Sequence, residues 1–143
     1  MRRAGIAHGA PAESATRLSG LRLLVVEDES LIALDLVDRL ETAGAEVAAP
    51  VSTEEQALDV IGDGDFDCAL LDANLHGEPV DGIAAALVRR TIPFVFITGY
   101  GRSGLPVSFQ HAPVLSKPVN DEQLFDAISG IVARPRKVFP LKR

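Results

Sequence analysis

Leu21-Arg22-Leu23-Leu24-Val25-Val26-Glu27-Asp28-Glu29, residues 21–29, is a nearly unbroken apolar run that ends in three acids. A strand with one face in water alternates apolar and polar residues. A continuous run fits a strand covered on both faces, the kind that builds parallel sheets. The pattern returns along the chain. Cys68-Ala69-Leu70-Leu71 leads into Asp72, Phe94-Val95-Phe96-Ile97 into Thr98, and the shorter Val114-Leu115 into Ser116, Lys117 and Pro118. Glu46-Val47-Ala48-Ala49-Pro50-Val51 reads as a weaker strand.

Helical periodicity fills the gaps between these runs. Ser30 is an N-cap candidate ahead of Ile32, Leu36 and Leu40, and Gly44 marks the stop. Ser52 and Glu55 have capping-box spacing before a helix with Ala57, Leu58 and Ile61. Ile83, Ala84, Leu87 and Val88 share the face of a third helix. Asn120 caps a last one lined by Leu124, Ile128, Ile131 and Val132. Residues 102–111 are poorly patterned, with room for a short helix. Five strands alternating with helices predict a doubly wound α/β protein, whose ligands bind beyond the carboxyl ends of the strands.

The 143 residues suffice for one domain, placed at 21–133. Residues 1–20, rich in Ala, Gly and Ser, are expected to form a flexible arm, and 134–143 a basic tail too short for an output domain. Of the net charge of −6, the arm carries +2 and the tail +5, which leaves −13 on the body. That excess argues against nucleic acid, whose phosphates demand a positive footprint. No stretch reaches the roughly 18 apolar residues of a membrane span, and the first residues lack a signal peptide's apolar run. With one cysteine, Cys68, in an apolar run, a cytoplasmic protein with a buried thiol is expected.

The strand ends carry the chemistry. Glu27, Asp28 and Asp72 in one crevice would repel one another unless a cation or raised pKa values relieved them. Oxygen donors suit a hard ion such as Mg²⁺. Asp72 is then placed to act as a nucleophile and form an acyl phosphate. Lys117 and the Thr98 hydroxyl are placed to hold the phosphoryl oxygens.

Val25-Val-Glu-Asp-Glu29, Leu70-Leu-Asp-Ala-Asn-Leu75, Phe96-Ile-Thr-Gly-Tyr-Gly101 and Ser116-Lys-Pro118 together resemble the signature of response-regulator receiver domains over residues 21–132. The resemblance implies a flavodoxin-like (βα)5 fold with strand order 2-1-3-4-5. It implies Asp72 as phosphoacceptor, with Mg²⁺ held by Glu27, Asp28, Asp72 and the main-chain carbonyl of Asn74. Thr98 and Lys117 match the switch hydroxyl and the lysine, and the bond to Pro118 is expected to be cis. The donor implied is a histidine kinase or a histidine phosphotransfer protein. The output would be a contact with a downstream protein, made by a monomer or weak dimer without nucleic acid or membrane. The segment 96–101, with Asn74-Leu-His-Gly-Glu-Pro79, is closest to the FAT-GUY single-domain regulators, which implies a place in stress signalling; Ile97 stands where that motif has Ala.

Two departures stand out. The aromatic usually found three residues before the lysine is Val114 here, so Tyr100 is the candidate substitute in the switch. The Pro usual in the loop after the phosphoacceptor is replaced by His76, read as a solvated loop residue. The rival readings are a pseudo-receiver that is never phosphorylated, and an enzyme of the flavodoxin or haloacid-dehalogenase type. The second lacks a phosphate-binding loop after the first strand and a second Asp two residues after Asp72.

Overall fold

A computed structural model describes residues 16–133. Five parallel strands, β1 (Arg22–Val26), β2 (Glu46–Val47), β3 (Cys68–Asp72), β4 (Phe94–Thr98) and β5 (Val114–Ser116), form one sheet in the expected order β2-β1-β3-β4-β5. The helices are α1 (Ser30–Thr42), α2 (Glu54–Asp63), α3 (Asp81–Arg89) and α4 (Asp121–Val132). No helix among the described residues is long and apolar enough to cross a membrane.

Successive side chains of a strand point to opposite faces, so each continuous apolar run feeds two cores. Leu23, Val25, Cys68, Leu70, Val95 and Ile97 pack with α1 and α4 residues. Leu24, Val26, Ala69, Leu71 and Phe96 pack with α2 and α3. All five β3 residues are buried.

Several local expectations shift by a residue. The N-cap of α1 is Glu29 rather than Ser30, without a side-chain cap. At α2 the cap is Thr53, whose Oγ1 accepts from Gln56 N at 3.1 Å, while Ser52 N donates to Gln56 Oε1 at 2.9 Å. The cap therefore falls one residue later than Ser52–Glu55, and the returning Gln56 side chain reaches the N–H of Ser52, before the cap, rather than that of Thr53. Gly44 does end α1, with Gly44 N donating to Glu41 O and Ala45 N to Leu40 O. Asn120 caps α4 as expected, accepting from Gln123 N at 2.8 Å. Leu58 and Val88 lie outside the cores, at 38% and 56% exposure, because the stripes of α2 and α3 that meet the sheet centre on Ala57 and Ile61 and on Ile83, Ala84 and Leu87.

The β4–β5 connection is the poorly patterned segment, and it forms no α-helix. Two short 3-10 turns, Gly101–Gly104 and Val107–Phe109, stand where a fourth crossover α-helix would be. Pro106 and two glycines in this stretch disfavour a longer helix. Side chains supply the missing order: Arg102 Nη1 donates to the carbonyls of Gln110 and Ala112, and Gln110 Nε2 to that of Leu105. Phe109 packs edge-on against Phe94 and Phe96, with ring centroids 6.1 and 6.0 Å apart.

The expected tail at 134–143 and residues 1–15 of the expected arm lie outside the described residues. Leu18, within the arm's assigned range, is fully buried, and Arg17 pairs with Asp126 at 2.6 Å. The packed body therefore begins before Leu21.

Cys68 is fully buried at the start of the central strand, and burial, helped by the Asp67 charge, pushes its thiol up to about 12. Opening β3 amounts to opening the whole sheet. Native protein at pH 8 is expected to leave a thiol-reactive disulfide reagent such as DTNB unconsumed until denaturant crosses the unfolding midpoint. Full labelling well below that midpoint would contradict this packing.

Candidate functional site

Strand register assembles the site. Val26 pairs with Leu71, so the residues that follow, Glu27 and Asp72, emerge level at the sheet edge. Thr98 pairs with Ser116, which delivers Lys117 to the same edge. Carboxylate oxygens of Glu27, Asp28 and Asp72 lie within 4.8 Å of one another. Lys117 Nζ reaches between two of them, 3.4 Å from Glu27 Oε1 and 3.5 Å from Asp72 Oδ2. A cavity of about 500 Å³ opens there, lined by Asp28, Glu29, Asp72, Asn74, His76, Gly99, Tyr100 and Lys117. The Lys117–Pro118 bond is cis, as expected.

Burial sets the electrostatics. Glu27 and Asp72 are 2% and 4% exposed. Glu27 is pushed up to about 7, first by burial and then by the adjacent Asp72, with the backbone N–H of Glu29 and the Lys117 charge pulling the other way. Partial burial lowers Lys117, but Asp72 and Glu27 more than offset it and hold the ammonium above its ordinary value. The Lys117–Glu27 contact is a charge pair rather than a well-formed hydrogen bond, and Glu27 Oε1 is left buried without a hydrogen-bond partner. A buried acceptor without a donor is costly. Three converging carboxylates with such an oxygen fit a hard, oxygen-seeking divalent cation.

The other expected residues are placed less uniformly. Asn74 N donates to Asp72 Oδ1 at 3.0 Å, and its side-chain oxygen accepts from Gly77 N at 2.7 Å. Thr98 is buried beside the cluster, but its side chain lines an adjoining cavity of about 300 Å³ together with Tyr100 and Gly104. Thr98 Oγ1 accepts from Tyr100 N at 2.9 Å, and Thr98 O accepts from Lys117 N at 2.8 Å. A Cβ at Gly104 would sit 2.6 Å from Thr98 Oγ1, so only glycine lets the first 3-10 turn approach the hydroxyl this closely. Tyr100 is 71% exposed and lines both cavities. Val114 packs against the α2–α3 core.

Sequence reading undervalued His76. Its side chain is largely solvated, as expected, yet Nδ1 lies 3.0 Å from Asp28 Oδ2 at the mouth of the acid-lined cavity. The contact depends on a tight turn, Leu75–Glu78, whose central residues His76 and Gly77 both have positive φ. The Gly77-Glu78-Pro79 sequence was the available hint of a turn.

The model of the response regulator receiver domain family matches residues 23–129. Nodulation protein W of Bradyrhizobium diazoefficiens is 32% identical over 120 residues, 80% of this chain and 52% of that protein. Transcriptional regulatory protein TcrA of Mycobacterium tuberculosis is 31% identical over 133 residues, 87% of this chain and 51% of TcrA. The chain thus spans about half the length of these curated relatives. The solution structure of SdrG from Sphingomonas melonis Fr1 superposes with a TM-score of 0.70 at 38% identity, covering 81% of this chain and 98% of SdrG.

Because the folded state holds Glu27 above its usual 4.5, its contribution to stability is full below about pH 4.5 and is lost as pH rises through about 7. Glu27→Gln removes that loss. In EDTA the variant is expected to be more stable than wild type at pH 8, by about 1–3 kcal/mol, and to show little difference at pH 5. Thermal melts giving the same difference at both pH values, or a loss at pH 8, would contradict this electrostatic picture.

Proposed function

Because the chain belongs to the response regulator receiver family, we propose that it is a two-component phosphoacceptor switch in which Asp72 takes a phosphoryl group from a phosphohistidine. The observation that carries this reading is the Lys117 ammonium set between Glu27 and Asp72 at the mouth of an acid-lined cavity. Members of this family are phosphoacceptor switches and not classical enzymes.

Glu27, Asp28 and Asp72, with the main-chain carbonyl of Asn74, would hold Mg²⁺. When bound, the ion supplies charge neutralisation and alignment of the phosphoryl oxygens. A carboxylate oxygen of Asp72 attacks phosphorus in line; the O–P bond forms as the P–N bond to the donor imidazole breaks, and that nitrogen keeps the electron pair. Lys117 pairs with the new phosphoryl oxygens instead of the bare carboxylates. The Asn74 N–H, already on Asp72 Oδ1, holds the nucleophile's orientation.

Switching then falls to Thr98. A turn of its hydroxyl toward a phosphoryl oxygen would pull on the Tyr100 N–H bond that it now accepts. With Val114 aliphatic, the inward turn of an aromatic at that position is unavailable. The movement is passed instead to Tyr100 and the turn Gly101–Gly104 that packs on Thr98. The Phe96–Gly101 sequence and the likeness to SdrG support a single-domain regulator of the FAT-GUY type, acting in stress signalling through contact with a downstream protein.

A panel of autophosphorylated histidine kinases tests this directly. With Mg²⁺, at least one kinase is expected to label the wild-type protein, and the label is expected to fall to background in Asp72→Ala and in EDTA. Equal labelling of Asp72→Ala would overturn the assignment. A proton on Glu27 competes with the cation, so calorimetric Mg²⁺ affinity is expected to weaken as pH is lowered through about 7.

A further inference from the structure

Lys117 is a point charge on a flexible stem, so its aim depends on how its backbone is held. On one side the sheet holds it, through Lys117 N to Thr98 O at 2.8 Å. On the other side the chain turns away through Pro118 and Val119, and these residues line a cavity of about 360 Å³ shared with α1. Arg39 of α1 lines the same cavity and fastens the loop across it. Its Nη1 donates to Val119 O at 2.8 Å and to Asp121 Oδ1 at 3.0 Å. Its Nε and Nη2 both donate to Asp35 Oδ2, at 3.2 and 3.1 Å, which fixes the guanidinium plane. The guanidinium is therefore anchored on its own helix and reaches the carbonyl two residues beyond Lys117.

We propose that Arg39 is a positioning residue for Lys117: it braces the Lys117–Val119 loop against the neighbouring cavity, so that the ammonium meets the phosphoryl oxygens. This rests on the reading of Lys117 as the phosphoryl-binding lysine. Arg39 touches none of the three carboxylates in the cluster, so its loss spares their hold on a cation. The brace depends on the fork of donors, which an ammonium cannot copy.

Beryllofluoride, a stand-in for the phosphoryl group, separates these contributions in the full chain. Binding of Mg²⁺ alone, and of beryllofluoride at saturating Mg²⁺, is measured by calorimetry for wild type, Arg39→Met and Arg39→Lys. Tyr100 is the sole tyrosine in a chain without tryptophan and gives a fluorescence signal beside the site. In Arg39→Met, beryllofluoride is expected to bind about tenfold more weakly, the loss of a charge-assisted hydrogen bond, while Mg²⁺ affinity is unchanged. Arg39→Lys is expected to lose most of the same affinity, and it carries the test should the Met variant fail to fold. Three results overturn the proposal: wild-type affinity for beryllofluoride in Arg39→Met, full affinity in Arg39→Lys, or a parallel loss of Mg²⁺ and beryllofluoride binding, which marks a general structural role. If wild type with Mg²⁺ does not bind beryllofluoride, the phosphoacceptor reading falls, and this inference with it.

Discussion

The structure depends on one electrostatic constraint: three carboxylates brought to the edge of a buried sheet, with one ammonium to balance them. Glu27 and Asp72 are almost wholly out of water, and Lys117 sits about equally far from both. Buried like charges raise the energy of the ionised state, and a single lysine offsets only part of that cost. Glu27 records the imbalance, held up to about 7 with a buried oxygen that no hydrogen bond satisfies. Added positive charge would relieve a site under this tension.

The sheet is what makes such an unfavourable cluster tolerable. Its strands are apolar on both faces and packed between helix pairs, which fixes their ends rigidly. Glu27 and Lys117 directly follow β1 and β5, and Asp72 and Thr98 end β3 and β4, all held by strand register. The variable parts lie around that edge. The Leu75–Glu78 turn brings His76 to Asp28, and the 3-10 turns between β4 and β5 bring Gly104 to Thr98. A connection made of short turns has fewer internal hydrogen bonds to break than an α-helix, so the side of the site facing Thr98 and Tyr100 is less costly to open than an α-helix would be.

The sheet and the members of its acid–lysine cluster could be read from the sequence because both follow from strong, periodic signals. Continuous apolar runs specify two-sided strands, and polar residues directly after them fall at one edge. Features that depend on tertiary contact were less visible. Ser30 and Ser52 are good caps by type, yet the cap positions are taken by their neighbours Glu29 and Thr53. Leu58 and Val88 share a helical spacing with buried residues, but the sheet meets only part of each stripe. Leu18 sits in a polar, small-residue context that conceals its burial. The side chain of Thr98 facing an adjoining cavity, the His76–Asp28 contact and the Arg39 brace join residues whose spacing carries no signal, and only the folded chain shows them.

The most direct measurement of the central claim is chemical trapping of the modified side chain. The protein is treated with acetyl phosphate and Mg²⁺, reduced with borohydride, which converts an acyl phosphate to an alcohol, and mapped by peptide mass spectrometry. The predicted result is conversion of Asp72 to homoserine, sharply diminished in Lys117→Met. Reduction at another carboxylate with Asp72 untouched, or no reduction at all, would contradict the claim that this acid, paired with Lys117, is the group the fold was built to present.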